Sequence, residues 1–310
     1  MNNKIYLKKI LSLALLPIVF CGTPLAGENA KISVSHQRGT VEVPLNPKRA
    51  VVMDYGSLDT IDALNPDLEL AVPKRNMPKY LGKFRSDKYS NVGSVKEFDL
   101  EAINVFKPDL IVISSRQQDY YRELSKIAPV YCVDTLAKDQ LAEARKNAEF
   151  FGRIFNKEKE VAAFLKDIDE SVARVNKKAK LSGLKALVLL ANDGKISAYG
   201  SGSRFGIIHD GLGVLQADSK IKVGVHGQLV NYEYVSITNP DVIFVIDRSA
   251  VIGTRAKGTR LLNNPLVGKT SAAKNNRIIM LDPEYWYLSG GGLQSMSNMI
   301  AEIENAMTKK

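Results

Sequence analysis

Three arginines stand where a guanidinium group could face a bound ligand. Arg116 and Arg248 each follow an unbroken apolar run, and Arg204 follows a glycine-rich turn. The runs Leu110–Ile113 and Val242–Ile246 are typical of parallel strands that are covered on both faces. Open α/β sheets bind ligands beyond the carboxyl ends of their strands, so we expect the three cations around one cleft. Such a cleft suits a strongly anionic guest, because arginine keeps its charge at any relevant pH.

A second group of candidates lies in the segment Asp282–Gly292, which reads D-P-E-Y-W-Y-L-S-G-G-G. It contains three adjacent aromatic residues, Tyr285, Trp286 and Tyr287, and Trp286 is the only tryptophan of the chain. Because the segment follows the apolar run Ile278–Leu281, we expect it to line the same cleft. The rings could form a hydrophobic corner, or they could be a wall for an aromatic ligand. A phenolate is also a hard oxygen donor that suits Fe(III).

One histidine is a candidate ligand and two are not. His226 is flanked by glycines in G-V-H-G-Q, and this setting predicts an exposed imidazole that can be positioned against a ligand. His209 lies inside an apolar helical stretch and is predicted to be structural, and His36 carries no functional signal. The three are too dispersed for a zinc site, which would require clustered His or Cys.

Two of the arginines, Arg116 and Arg248, belong to a sequence that occurs twice. E-A-I-N-V-F-K-P-D-L-I-V-I-S-S-R begins at Glu101, and E-Y-V-S-I-T-N-P-D-V-I-F-V-I-D-R begins 132 residues later at Glu233. Each copy predicts a short helix that ends before its proline, since the residue preceding proline avoids the α region. A lone arginine there could be a solvated loop residue, but matched positions favour one cleft between two similar lobes. The negative charges of the two glutamates interact favourably with the N-termini of their helices. Matched acids on the two lobes would also allow docking onto a two-fold partner that has basic pockets.

These observations predict an α/β protein with two similar, doubly wound lobes bridged by a single long helix. We expect a first lobe over 27–156, the helix over 157–180 and a second lobe over 181–310. Apolar residues at spacings of three and four between Val161 and Val175 predict the helix, which at about 35 Å could reach from one lobe to the other. A single stiff helix as the crossover predicts limited hinge motion.

The amino terminus predicts export. Residues 1–26 hold three lysines followed by an apolar run, as in a secretory signal peptide, with cleavage expected after Ala26. Cys21 raises a lipoprotein as an alternative, although the residue before it, Phe20, is bulky where a small one is preferred. Cys132 would then be the only cysteine of the mature chain, so no internal disulfide is expected and the thiol is predicted to be buried on a strand.

Composition and missing motifs narrow the function. The 310 residues carry a formal charge of +10, but lysine and arginine are scattered, and no basic run with interleaved aromatics indicates a nucleic-acid partner. The chain has no G-x-S-x-G, Walker A, H-E-x-x-H or strand-linked G-x-G-x-x-G motif, and nothing pairs a nucleophile with a base. We therefore expect no enzyme. A two-domain enzyme and a metal-ion receptor stay open as rivals, and the latter would need three or four clustered ligands.

The signal peptide, the two lobes and the pattern KPDLIVISSR/NPDVIFVIDR resemble the periplasmic binding proteins of iron–siderophore and cobalamin ABC importers. The segments YGSGSRFGIIHDGLG, KVGVHGQLVNYEYV and IIMLDPEYWYLSGGGL look closer still to the ferric-catecholate (enterobactin-type) binding proteins. The resemblance covers nearly all of the mature chain. It implies a monomeric periplasmic receptor, without a cofactor, that captures Fe(III)-siderophore complexes and delivers them to an inner-membrane ABC permease dimer.

The resemblance also implies a role for each matching residue. The arginines of three motifs would contact the iron-bound catecholates, namely Arg116, Arg204 and Arg248. His226 and Tyr287 would complete the iron shell when the siderophore offers only two catechols, beside the neighbouring rings of Tyr285 and Trp286. Glu101 and Glu233 would dock on the permease. A haem, cobalamin or ferric-hydroxamate receptor on the same scaffold is the alternative.

Overall fold

A computed structural model describes residues 30–224, 226–253 and 263–308. The predictions of a signal peptide over 1–26 and of a lipidated Cys21 lie outside these residues. The described chain contains two open sheets with helices packed on them, which confirms the predicted α/β class. No helix in the described ranges is both long enough and apolar enough to cross a membrane.

The first half of the chain builds a five-stranded parallel sheet after an antiparallel hairpin, β1 (Lys31–His36) and β2 (Gly39–Pro44). Its strands are β3 (Arg49–Val52), β4 (Glu69–Val72), β5 (Ser90–Asn91), β6 (Leu110–Ser114) and β7 (Val130–Val133). Its helices are α1 (Tyr55–Leu64), α2 (Leu100–Phe106), α3 (Tyr121–Leu124) and α4 (Gln140–Phe155). The strand order β5-β4-β3-β6-β7 is doubly wound and reverses between β3 and β6, so a crevice opens at the carboxyl ends of those two strands.

The second half builds a six-stranded sheet that is mixed rather than wholly parallel. Its strands are β8 (Lys185–Asn192), β9 (Lys195–Tyr199), β10 (Leu215–Gln216), β11 (Gln228–Val230), β12 (Val242–Asp247) and β13 (Ile278–Leu281). β8, β12 and β13 are parallel. β9 is antiparallel to β8, with which it forms a hairpin, and β11 is antiparallel to β9. The two lobes are therefore similar but not equivalent, because the tight turn at Asp193–Gly194 forces an antiparallel pair.

The helices of the second half are mostly short. They are α6 (Ile207–Asp210), α7 (Tyr232–Thr238), α8 (Arg248–Ile252), α9 (Ser271–Lys274) and α10 (Leu293–Thr308), and Glu284–Leu288 forms a π-helical turn. The helix that follows the glycine-rich turn begins at Ile207, three residues after Arg204. Gly202 takes a positive φ of 68°, and Gly206 N donates to the Ser203 carbonyl, so a turn precedes the helix.

Both copies of the repeat fold in the same way. α2 and α7 each end in a left-handed residue directly before the proline, Lys107 with φ 50° and Asn239 with φ 44°. The aspartate after each proline accepts hydrogen bonds from the backbone at the start of the neighbouring strand. Asp109 accepts from the amides of Lys48 and Arg49 at 2.7 and 3.1 Å, and Asp241 accepts from the amide of Lys185 at 3.0 Å. The Pro-Asp pair of the repeat thus has a structural role: it follows the end of the helix and fixes the start of the neighbouring strand.

Between the sheets runs α5 (Glu158–Ser182), which confirms the long helix predicted over 157–180 and ends at Gly183 in the left-handed region. The carboxy-terminal helix α10 packs along it, with Lys178 Nζ at 3.0 Å from Glu304 Oε1. The largest apolar core is continuous through one face of each sheet, α5 and α10. Residues 31–310 form one compact unit, so the lobe boundaries at 156 and 181 stay predictions.

Candidate functional site

The three predicted arginines converge on one residue, Tyr287. Arg116 Nη2 and Arg204 Nη2 both donate to the Tyr287 carbonyl oxygen, at 3.0 and 2.7 Å. Arg248 Nε donates to the Tyr287 hydroxyl oxygen at 2.6 Å. The structure therefore brings together, at the carboxyl ends of both sheets, four side chains that lie far apart in sequence.

The strand ends position two of the arginines. Arg116 follows β6 by two residues, and Arg248 is the first residue of α8 directly after β12. Arg248 Nη1 also donates to Asn192 Oδ1 at 2.6 Å, and Arg116 Nη1 lies 4.0 Å from Asp54 Oδ1. Sequence reasoning missed Asn192 and Asp54. The signal available for both was their place at or just beyond the carboxyl ends of β8 and β3.

The guanidinium of Arg204 lies over the Tyr287 ring. The guanidinium carbon is 4.3 Å from the Tyr287 ring centroid, a cation–π contact, and the Arg204 carbonyl oxygen accepts from Gln140 Nε2. Burial lowers the pKa of Arg204 to about 10, and the positive charge of Arg116 adds to this effect. The guanidinium is thus a half-buried cation beside other cations, an arrangement that an anion would relieve.

The arginines also change the chemistry of the Tyr287 phenol. Burial opposes ionisation, but the hydrogen bond from Arg248 and the charges of Arg204, Arg248 and Arg116 outweigh it and lower the pKa of Tyr287. The neighbouring Tyr199 behaves in the opposite way, since burial raises its pKa. Tyr287 is therefore the tyrosine of this site that is prepared to act as an anionic oxygen donor.

A cavity of about 220 Å³ opens beside these groups and is lined by Arg116, Arg248 and Tyr287. Arg75 and Lys96 add two further cations to its wall. Among the described residues of the lining, Glu97 is the one acidic side chain, and it is paired with Arg75 at 2.7 Å. The cavity is consequently basic, as expected for an anionic guest.

The other predicted site residues are His226, Tyr285 and Trp286, and each has its own neighbours in the structure. His226 is exposed on a turn, and the adjacent Gly227 packs so closely on the Tyr199 ring that a Cβ there would lie 2.7 Å from it. Tyr285 packs on Tyr80, with ring centroids 5.0 Å apart. Within the described ranges, no three His, Cys, Asp or Glu side chains gather as a metal site.

Trp286 points away from the basic cavity. It is 2% exposed, and its Nε1 donates to Glu302 Oε2 of α10 at 2.6 Å. Successive side chains of a helical turn point roughly 80–100° apart, so the aromatic residues 285–287 cannot share one wall. For Tyr285 and Trp286 these contacts agree with the hydrophobic corner that the sequence left open, although Trp286 also lines a smaller cavity shared with Arg116 and Arg204.

The two repeat glutamates are exposed in the first turns of their helices. Asp99 caps α2 and Asn231 caps α7 through their side chains. Asn231 Nδ2 also donates to Glu233 Oε2 at 2.9 Å, whereas Glu101 makes no hydrogen bond or ion pair with the described part of the chain. Both carboxylates are thus accessible to a partner, and that of Glu233 is oriented by its hydrogen bond from Asn231.

Comparison with known proteins gives a consistent result. Residues 51–285 match the family described as "Periplasmic binding protein". The chain is 47% identical over 282 residues to the petrobactin-binding protein YclQ of Bacillus subtilis, covering 90% of this chain and 89% of that protein. It is 31% identical over 278 residues to the ferric-anguibactin-binding protein FatB of Vibrio anguillarum, covering 88% and 86%.

Solved structures agree in fold over nearly the whole described chain. The crystal structure of YclQ matches with a TM-score of 0.88 at 46% identity, covering 91% of this chain and 100% of that one. The periplasmic catecholate-siderophore binding protein VctP of Vibrio cholerae matches with a TM-score of 0.83 at 31% identity, covering 89% and 100%.

Proposed function

Because this chain belongs to the periplasmic binding protein family, we propose that it is an exported receptor that captures ferric-catecholate siderophores between its two sheets. It would bind tris-catechol and bis-catechol complexes and deliver them to an inner-membrane ABC permease dimer. The names of YclQ, FatB and VctP, which refer to petrobactin, ferric anguibactin and catecholate siderophores, support this ligand class. The proposal includes a monomeric protein that is exported by residues 1–26.

The observation that carries the proposal is the convergence of Arg116, Arg204 and Arg248 on Tyr287. Fe(III) bound by three catecholates has three net negative charges, and each arginine could neutralise one of them. At an effective dielectric constant near 20, a charge about 4 Å from the anion contributes on the order of 4 kcal/mol before desolvation. Arg204 and Arg116 already repel each other without a ligand, which makes the anion the missing counter-charge.

A bis-catechol complex has one net negative charge and leaves two coordination positions on iron open. Tyr287 can fill one of them as a phenolate, because Arg248 and Arg204 already favour its ionised form. His226 is the proposed second donor, on a turn that packs against Tyr199. Tyr199 in turn packs edge-on against Phe205, the neighbour of Arg204, at 4.7 Å. We therefore expect bis-catechol fragments to be favoured over intact tris-catechol siderophores.

A titration of the purified protein tests the ligand class. The fluorescence of Trp286 is followed while ferric tris-catecholate, ferric bis-catecholate, ferric hydroxamate or haem is added. Saturable quenching by the catecholates alone is the expected result, since Trp286 directly precedes Tyr287 in the chain. Saturation by haem or hydroxamate without catecholate binding would leave the family intact but reject the ligand.

A double variant tests the donor set. His226→Ala with Tyr287→Phe should lose affinity for bis-catechol complexes and keep most of its affinity for tris-catechol complexes, which offer no open position. Arg145→Gln is a matched control, because Arg145 forms an exposed ion pair with Asp169 and lines neither of the cavities that contain the arginines. Equal bis-catechol affinity in the double variant and the wild type would reject His226 and Tyr287 as iron donors.

A further inference from the structure

Asp59 is a fully buried carboxyl group without a counter-cation. It lies in α1 and is 0% exposed. Its Oδ1 accepts from the amide of Gln294 at 2.8 Å, and its Oδ2 accepts from the amide of Ser295 at 2.7 Å. In the described part of the chain no lysine, arginine or histidine forms an ion pair with it. Since a buried unpaired charge is strongly unfavourable, the ionised form of this group needs an explanation.

The amides that Asp59 caps belong to the first turn of α10, which directly follows the segment that carries Tyr287. Two glycines make this approach possible. A Cβ at Gly292 would lie 2.5 Å from Asp59 Cγ, and a Cβ at Gly56 would lie 3.0 Å from the Ser289 carbonyl oxygen. The loop from Ser289 to Gly292 is therefore pressed directly onto α1, in the first half of the chain.

A chain of three oxygen–oxygen contacts runs from Asp59 into this loop. Asp59 Oδ2 lies 2.9 Å from the Tyr80 hydroxyl oxygen, and that oxygen lies 2.7 Å from Ser289 Oγ. Ser289 Oγ lies 2.8 Å from the Glu284 carbonyl oxygen, which can only accept. Each contact needs one proton, and the two hydroxyl groups supply two. All three contacts are hydrogen bonds only if Asp59 supplies the third proton.

We propose that Asp59 is a neutral carboxylic acid in the folded protein at mildly acidic pH, and that in this state the chain Asp59–Tyr80–Ser289 positions the Tyr287 segment on α1. In this state Asp59 donates to Tyr80, Tyr80 donates to Ser289, and Ser289 donates to the Glu284 carbonyl. When Asp59 loses its proton, Tyr80 must turn its hydroxyl hydrogen to the carboxylate. One of the two remaining contacts is then left without a hydrogen and must lengthen, which loosens the segment two residues from Tyr287.

The surroundings of Asp59 agree with this assignment. Burial raises the pKa of Asp59 to about 6, against the opposing effect of the amides of Gln294 and Ser295. Of the other titratable groups nearby, Tyr80 and Tyr285 have their pKa raised by burial. The remaining charged groups that face Asp59 are Asp62, Glu284 and Glu302. Asp62 pairs with Lys83, the Glu284 side chain accepts from the Lys79 amide, and Glu302 on α10 accepts from Trp286.

The proton on Asp59 can be observed directly. Infrared spectra of the full chain at about pH 5, near one unit below the raised pKa, should show the carbonyl stretch of a protonated carboxylic acid that Asp59→Asn lacks. If Asp59→Asn does not fold, Tyr80→Phe serves instead, because loss of the hydroxyl partner should shift this band. Spectra of wild type and variants that show no such difference would overturn the proposal.

The effect on the Tyr287 segment is read from Trp286. Because Glu302 contacts Trp286 and has its pKa raised by burial, all proteins carry Glu302→Gln. Trp286 emission and its quenching by acrylamide should change as the pH rises through about 6, and Tyr80→Phe should lose this transition. Tyr234→Phe, which removes another tyrosine–aspartate hydrogen bond at Asp218, should keep it. A transition that survives in Tyr80→Phe would overturn the positioning role, whatever ligand the protein binds.

Discussion

At the scale of single residues, Tyr287 is the group that all three arginines contact. The lowering of its pKa has a defined consequence for stability. An acid whose pKa falls on folding stabilises the fold once it is ionised, so the contribution is complete above the ordinary value of about 10. This contribution to stability is lost as the pH falls through the pKa that Tyr287 has in the folded protein. We therefore expect Tyr287 to ionise before the other tyrosines of the described chain.

An ultraviolet difference titration measures this. One tyrosinate should form below about pH 10 in the wild type and be missing from Tyr287→Phe. Tyr199→Phe is the matched control, because Tyr199 is a neighbouring tyrosine whose pKa burial raises, so the early titration should persist. Identical curves for the wild type and Tyr287→Phe would show that the arginines do not ionise this phenol.

Arg204 should show a trade between stability and affinity. Arg204 is a half-buried cation whose pKa is lowered, so its charge destabilises the folded state fully at every pH below about 10. We expect Arg204→Met, which keeps the apolar contact with the Tyr287 ring, to stabilise the ligand-free protein by about 1–3 kcal/mol. The same change should weaken ferric-catecholate binding by about tenfold or more, since a charged hydrogen-bond donor is lost.

Urea denaturation and ligand titration of the same Arg204→Met sample check both halves of this prediction. Arg145→Met, at an exposed ion pair with Asp169, should change stability by no more than about 0.5 kcal/mol and leave affinity intact. A loss of both stability and affinity at position 204 would mean that the arginine is a structural residue.

The sequence predicted the arginines because their signals are local. Arg116 and Arg248 stand at matched positions after an apolar run, and Arg204 follows a glycine-rich turn. The sequence did not predict Asn192, Asp54 or Asp59. Their partners come from distant parts of the chain, in the case of Asp59 from 235 residues away. It also could not separate Tyr287 from Trp286, because the π-helical turn that sends them in different directions is decided by packing on α10.

At the scale of elements, the Pro-Asp pair of the repeat should contribute to stability without contributing to binding. Asp109 accepts two amide hydrogen bonds from the start of β3, and Asp241 accepts one from the start of β8. At about 1 kcal/mol for each bond, Asp109→Ala should cost about 2 kcal/mol and Asp241→Ala about 1 kcal/mol. Urea midpoints compared with those of Asp87→Ala, an exposed site without a described hydrogen bond, give both values. Equal effects of the two substitutions would contradict this account.

The sequence located most elements because prolines and apolar runs mark their ends. α2 and α7 end directly before the residue that precedes each proline, and α5 was found from its apolar stripe. The hairpin of β8 and β9 was not recognised as a departure from a parallel sheet. Strand direction depends on the pairing between segments, and an apolar run has the same pattern in a parallel and in an antiparallel strand.

At the scale of the whole molecule, the proposed delivery step places one docking contact on each repeat helix. Val105 and Ile237 are 70% and 84% exposed and stand at the same place in the two copies, one turn after Glu101 and Glu233. Each helix therefore presents a carboxylate and an apolar side chain on one face. Such a pair of matched surfaces fits a two-fold partner.

We expect the double substitution Glu101→Gln with Glu233→Gln to leave ferric-catecholate affinity unchanged and to abolish uptake in cells that depend on this receptor. Each single substitution should have a partial effect, and Glu233→Gln the larger one, because Asn231 already holds Glu233 in place. Glu170→Gln, an exposed glutamate on α5, is the control that should transport normally. Normal uptake by the double variant would exclude these glutamates from docking.

The bridging helix α5 and the carboxy-terminal helix α10 should together restrict how far the lobes can move on binding. α5 joins the sheets, and α10, which follows the second sheet, is capped by Asp59 of the first half and packs along α5. One continuous core passes through these helices, so a large hinge motion would have to expose apolar surface. Small-angle scattering should give a radius of gyration of about 19 Å for the mature chain, without a resolvable decrease when ferric catecholate is added. A clear decrease would mean that α10 separates from α1, and Asp59→Asn should then change the amount of closure.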